Sequence, residues 1–177
     1  NGAKANDFGL LGALAVLVIG AAMGFANGIV HVGLQIPSFM VTLGMWFVGI
    51  GIGNAILGGI QVRVNDPLIR ALALEQFLGL KFQVWLALGA LAVAWVVQEH
   101  TRLGRYIFAI GGGEDLARLS GIRTGLVRIA TFTMAGVFYA LAGIMAAAQQ
   151  GSAFALIGGG RLFTAITAVV VGGTALW

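Results

Sequence analysis

The stretch Phe8–Val30, FGLLGALAVLVIGAAMGFANGIV, decides the fold. A helix needs about 20 largely apolar residues to cross a hydrocarbon core roughly 30 Å thick, because it rises about 1.5 Å per residue. This run meets that length. Working outward, residues 36–57, 82–97 and 126–148 read the same way, and a further apolar segment begins near Leu162 and continues to 177. Charged residues gather in the connections, with Arg128 counted among those following the third segment. A bilayer offers the backbone no water, so runs of this kind must close their own hydrogen bonds as helices. The ten-residue, period-two alternation of a transmembrane barrel is not seen. The expected class is an all-α polytopic transmembrane helical bundle, a single domain over 1–177 with four full spans and the start of a fifth.

Composition agrees. The chain has 177 residues, 59% hydrophobic and 9% charged, with mean hydropathy +0.99. Soluble domains sit near half apolar and a quarter charged. The chain has no cysteine, and its two histidines, His31 and His100, are far apart, so no thiolate site or histidine metal cluster is expected. The net charge of +4 comes from arginines and lysines placed between apolar runs, which points to a membrane rather than to nucleic acid. Serine, histidine and acidic residues never cluster into a catalytic set, and GxxxxGK[ST] does not occur. The chain is expected neither to be an enzyme nor to bind ATP or another cofactor itself. It starts at Asn1 and stops at Trp177 inside an apolar run, so it reads as an internal fragment.

The connections set an expected orientation. Arg102, Arg105, Arg118, Arg123 and Arg128 follow the third segment, whereas Arg63, Arg70 and Lys81 before it are offset by Asp66 and Glu75. Positive-inside bias then places 98–125 in the cytoplasm, 58–81 outside and the 31–35 turn inside. Two short helices are expected off the spans. Asp66 caps one that opens with Pro67 and lies on the outer surface. After Gly111-Gly112-Gly113 breaks the chain, Glu114–Ser120 forms the other, with Glu114 and Asp115 at its positive end and Gly121 as a left-handed stop.

Small residues recur at four-residue spacing: Gly20, Gly24 and Gly28; Gly49 and Gly53; Gly143, Ala147 and Gly151. Such stripes let helix backbones touch, and packing within one subunit is the plain reading. Asn27, Thr42, Asn54, Gln149, Gln150 and Ser152 are polar residues at or near membrane depth, where they need a partner or a wet cavity. They are candidates for a translocation path, weighed against ordinary interhelical hydrogen bonding. Gly158-Gly159-Gly160 suggests a broken stretch before the last segment. The spans lack the ionisable mid-depth sites of an ion-coupled carrier, which favours energy supplied from outside the chain.

Thr101-Arg102-Leu103-Gly104-Arg105-Tyr106, with Ala109-Ile110-Gly111-Gly112 and Glu114-Asp115-Leu116-Ala117-Arg118-Leu119-Ser120-Gly121-Ile122, closely resembles the permease subunits of bacterial ribose/xylose/galactose-type ABC importers. Asn27-Gly28, Ile36-Pro37-Ser38-Phe39 with Thr42-Leu43-Gly44, and Ala168-Val169-Val170-Val171-Gly172-Gly173-Thr174 resemble the same family in the same order. The resemblance implies an inner-membrane permease that works in pairs, as a homodimer. Such a pair passes sugar from a periplasmic binding protein and is driven by a cytoplasmic ATPase that binds the ATP. It also implies that Glu114, Asp115, Leu116, Ala117, Arg118, Leu119, Ser120 and Gly121 form the coupling helix that docks on that ATPase. Members of the family often carry acidic residues after a Gly-Ser pair, whereas here Gly151-Ser152 leads to Gly158-Gly159-Gly160-Arg161 with no acid. A secondary carrier and a non-transporting membrane scaffold are the competing classes.

Overall fold

The structure, a computed structural model, describes residues 9–63, 76–77 and 79–173. Its elements are α1 (Gly9–Leu34), α2 (Ser38–Leu57), β1 (Val62–Arg63), β2 (Gln76–Phe77), β3 (Leu80–Lys81), α3 (Phe82–His100), α4 (Arg102–Gly112), α5 (Glu114–Leu119), α6 (Thr124–Gln150), β4 (Ser152–Ala153) and α7 (Gly159–Val171). Helices α1, α2, α3 and α6 are long and apolar enough to cross a membrane, so the molecule is a transmembrane helical bundle. The short strands only tie loops together: β1 pairs antiparallel with β4, and β2 with β3.

Element boundaries differ from the sequence reading where local chemistry extends or delays a helix. The 31–35 segment is mostly helix, since α1 runs through His31 to Leu34. His31 Nδ1 then donates to the Ile36 carbonyl at 2.7 Å, closing the turn that follows. The turn is made by Gln35 at φ 54°, Ile36 and Pro37. Helix α2 starts at Ser38 rather than Ile36, because Pro37 is its cap and its carbonyl accepts from the Met40 and Val41 amides. Helix α3 continues past Val97 to His100, and α6 spans Thr124–Gln150, wider than 126–148, with Arg128 inside it rather than in a loop. At 27 residues α6 is about 40 Å long, more than the hydrocarbon core requires. The last helix begins at Gly159, not near Leu162, so Gly159 and Gly160 belong to its first turn and only Gly158 stands outside as the cap. The expected helix opening with Pro67 lies outside the described residues.

The centre of the bundle is the antiparallel pair α1–α6. A Cβ on Gly20 would sit 2.5 Å from Ala140 Cβ and 2.7 Å from the Gly136 carbonyl oxygen, and one on Gly28 would sit 2.8 Å from Ile129 Cα. Gly24 faces the Phe132 carbonyl, and Gly136 faces the Gly20 carbonyl, just as closely. The α1 glycine stripe is therefore a seam inside one subunit. Gly49 and Gly53 have softer neighbours, Met23 and Ala155, while Gly143 faces open space.

What is buried is correspondingly small. Ala117, Ala140, Ala146 and Ala148 are buried with Val41 and Val127, whereas Ile19, Phe47, Ile56, Leu91, Trp95 and Phe163 are exposed. This inverts a water-soluble core. Lipid tails solvate large apolar side chains as well as a protein interior does, so close backbone contact, rather than escape from water, selects what lies inside.

Candidate functional site

The antiparallel packing sorts the connections onto two ends. At one, Val32 at the close of α1 meets Gly125 at the start of α6, where a Cβ would come within 3.0 Å of Val32 Cγ1. Residues 101–123 lie at this end, and a shallow cleft there is lined by Val32, Arg118, Ile122, Arg123, Thr124 and Ile129. At the other end, β1 follows α2 and pairs with β4 after α6, and α3 begins beside the end of α6.

At the first end, residues 101–121 fold into two helices, not one. Thr101 starts α4: its hydroxyl donates to the Val97 carbonyl at 2.5 Å and accepts from the Gly104 amide at 3.2 Å. Gly104 is buried in the corner between α3 and α4, where a Cβ would lie 2.6 Å from the Val97 oxygen and the Gln98 carbonyl carbon. The threonine and glycine of Thr-Arg-Leu-Gly are thus what turns the chain off the end of α3. The sequence carried a signal for α4 that the glycine run obscured: Leu103, Tyr106, Ile107 and Ile110 repeat at helical spacing behind a capping threonine. Gly111 and Gly112 finish this helix, so the break is at Gly113 alone.

Helix α5 is Glu114–Leu119, with Ser120 as its C-cap. Gly121, at φ 81°, turns left-handed; its amide donates to the Arg118 carbonyl and that of Ile122 to the Ala117 carbonyl. This paired closure is the Schellman motif, and it satisfies carbonyls that a helix end otherwise leaves open. Glu114 does more than favour the helix start. Its carboxylate accepts from Arg118 Nη2 at 3.4 Å and from Arg128 Nη2 on α6 at 2.6 Å. Ala117 is buried, while Leu116 and Leu119 are 69% and 85% exposed. The unit is a capped helix fastened to α6 on one side and apolar on the other.

The six polar candidates do not converge. Asn27 and Thr42 lie on α1 and α2 toward the first end. The Thr42 hydroxyl donates to the Ser38 and Phe39 carbonyls within its own helix, so it is satisfied locally. Asn27 Oδ1 is buried without a hydrogen-bond partner among the described residues. Asn54, Gln149, Gln150 and Ser152 lie toward the second end, Asn54 and both glutamines exposed. Among the described residues the Ser152 hydroxyl reaches only the Gln150 carbonyl, at 3.5 Å.

Gln149 is the centre of a cluster that includes two residues not singled out from sequence. Its Nε2 donates to Gln83 Oε1 on α3 at 2.6 Å, and its Oε1 accepts from Arg161 Nη2 on α7 at 3.2 Å. Nothing in the sequence joins positions so far apart. Between α3 and α6 lies an open groove of about 510 Å³ lined by Trp85, Leu86, Val93, Met134 and Phe138 among other apolar residues, and by none of the six candidates.

The family model described as "branched-chain amino acid transport system / permease component" matches residues 3–176. The chain belongs to this family. Its members are transport permeases, not enzymes, and with four helices among the described residues fit to cross a membrane the chain is a multi-pass inner-membrane protein. The ribose import permease protein of Escherichia coli (strain K12) is 35% identical over 94% of this chain and 53% of its own length. The galactose/methyl galactoside import permease protein of the same strain is 35% identical over 90% of this chain and 50% of its own length. The fructose import permease protein of Rhizobium meliloti is 31% identical over 91% and 47%. The chain spans about half the length of the curated relatives it matches. No solved structure matches it.

Proposed function

We propose that this chain is part of the membrane-spanning permease subunit of an ATP-driven importer. It moves a monosaccharide or related small polar solute that a periplasmic binding protein delivers, with a second copy of the permease completing the path. The end carrying α4 and α5 faces the cytoplasm, and α5 docks on the ATPase subunit. The likeness to ribose, galactose and fructose import permeases supports the solute class.

The observation that carries the mechanism is the construction of α5. A connector between two spans has no use for a helix capped at Gly121, pinned through Glu114 to Arg128 and bearing two exposed leucines. A docking element does. The leucines, three apart, share a face that can enter an apolar groove. The Glu114–Arg128 pair passes any displacement of α5 directly to α6, and the α1–α6 seam carries it on to α1.

Leu119→Asp tests this. Burying leucine in a partner groove is typically worth about 2–5 kcal/mol by truncation, so placing a carboxylate there is expected to abolish co-purification with the ATPase and ATP-dependent uptake. The amount of permease in the membrane should stay unchanged, because Leu119 touches little of its own chain. Retention of the ATPase at normal uptake would remove α5 from the docking role.

A further inference from the structure

The Gln83–Gln149–Arg161 cluster is a polar relay across three helices, and its direction is fixed by one residue. A guanidinium can only donate hydrogen bonds. Arg161 therefore dictates that Gln149 presents its carbonyl oxygen to α7 and its amide nitrogen to α3, which makes Gln83 accept through Oε1. The arrangement leaves Gln83 Nε2 buried with no acceptor among the described residues. A buried donor without a partner costs stability, so the amides are not ordered for their own satisfaction. They hold the guanidinium.

Arg161 itself is exposed and, among the described residues, uses one of its five N–H donors, on Gln149. The rest of this end has the same sign. Among the described residues in 58–63, 79–83 and 150–161, Arg63, Lys81 and Arg161 are the charged ones, and no carboxylate answers them. Asp66 and Glu75 lie outside the described residues. A guanidinium held in place with its fork open matches a planar carboxylate or a phosphate through paired, charge-assisted bonds.

We propose that Arg161, positioned by Gln149 and Gln83, is a binding site for a single anionic group, carboxylate or phosphate, at the end of the bundle opposite α5. Two sources supply that chemistry: an acidic sugar derivative arriving as solute, or the headgroup of an anionic lipid. The solute source rests on the importer reading above; the site itself does not.

The experiment places the complete protein in nanodiscs and follows thermal unfolding. Ribonate and ribose are compared in zwitterionic lipid, and phosphatidylglycerol is compared with zwitterionic lipid without sugar. Stabilisation by ribonate that weakens at least about ten-fold in apparent affinity with Arg161→Gln, and is kept by Arg161→Lys, assigns the site to a solute carboxylate. Stabilisation by phosphatidylglycerol alone, lost with the same variant, assigns it to lipid. Gln149→Leu should weaken either response several-fold while leaving the charge in place, which a merely electrostatic surface would not do. Both responses absent, or both indifferent to Arg161→Gln, overturns the proposal. ATP-driven uptake of ribose by the unmodified complex, measured alongside, reports separately on the importer reading, since a neutral sugar can be carried whether or not an anion binds.

Discussion

Helix α6 meets α1 on one side and α3 on another, and the two contacts are built differently. Against α1, glycine faces glycine and backbone touches backbone: Gly20, Gly24 and Gly28 lie on Ile129, Phe132, Gly136 and Ala140. Against α3, Trp85, Leu86 and Val93 face Met134 and Phe138 across an open groove of about 510 Å³, and the helices are joined at the end by Gln83 and Gln149. Small residues yield a contact with many atoms at van der Waals distance and no side-chain entropy to lose, whereas bulky ones prop the helices apart. In a bilayer, where no water drives large side chains together, only the first kind of contact is strong. The pair α1–α6 is therefore the closely packed, rigid unit, and α3 stands off from it across the groove.

Gly136→Leu should break that comparison most severely. Its Cβ would meet the Gly20 carbonyl and, at 3.0 Å, Gly24 Cα, both backbone and unable to step aside. A loss of about 3 kcal/mol is expected by unfolding in mixed micelles. Wild-type stability in this variant would mean that the seam is not closed to backbone contact.

Next in size is Gly121→Val. A β-branched residue at φ 81° carries strain of about 1–2 kcal/mol, all of it on the stop of α5. Hydrogen exchange at the Gly121 and Ile122 amides, which close the Schellman motif, should accelerate while α1 and α6 stay protected. Uniform acceleration would instead make α5 inseparable from the rigid pair.

The bond that joins α5 to that pair is weaker. Glu114 and Arg128 are each about a third exposed, so solvent screens them, and a double-mutant cycle with Glu114→Gln and Arg128→Met should give a coupling of about 0.2–1 kcal/mol that shrinks in high salt. Coupling that is absent at low salt would detach α5 from α6. The smallest effect belongs to the other face of α6. Gly89 on α3 borders the groove with nothing near its would-be Cβ, so Gly89→Leu should change stability by less than about 0.5 kcal/mol. A penalty like that of Gly136→Leu would show the groove to be filled and the contrast between the two faces false.

Four spans, the short helix α5 and its glycine stop were legible because each is specified by neighbours in sequence: an unbroken apolar run, two acids at a helix start, a glycine where φ turns positive. Helix α4 was legible in the same terms, but Gly111 and Gly112 read as a break when they are its last residues. The stripe Gly20, Gly24, Gly28 announced a close contact without naming the partner, since spacing marks a face of one helix and Gly136 is supplied by another. The polar candidates show the same divide. Thr42 and Gln149 look alike in sequence, yet one hydroxyl returns to its own backbone while the other side chain is caught between Gln83 and Arg161. Glu114 was marked for the helix dipole by its position, and only the fold brought Arg128 to it. Local hydrogen bonding and hydropathy act over a few residues, so the chain by itself determined which segments are helices and that they sit in a membrane. Which helices touch, and which polar groups find each other, depends on contacts between distant segments, and the tertiary structure alone decided those.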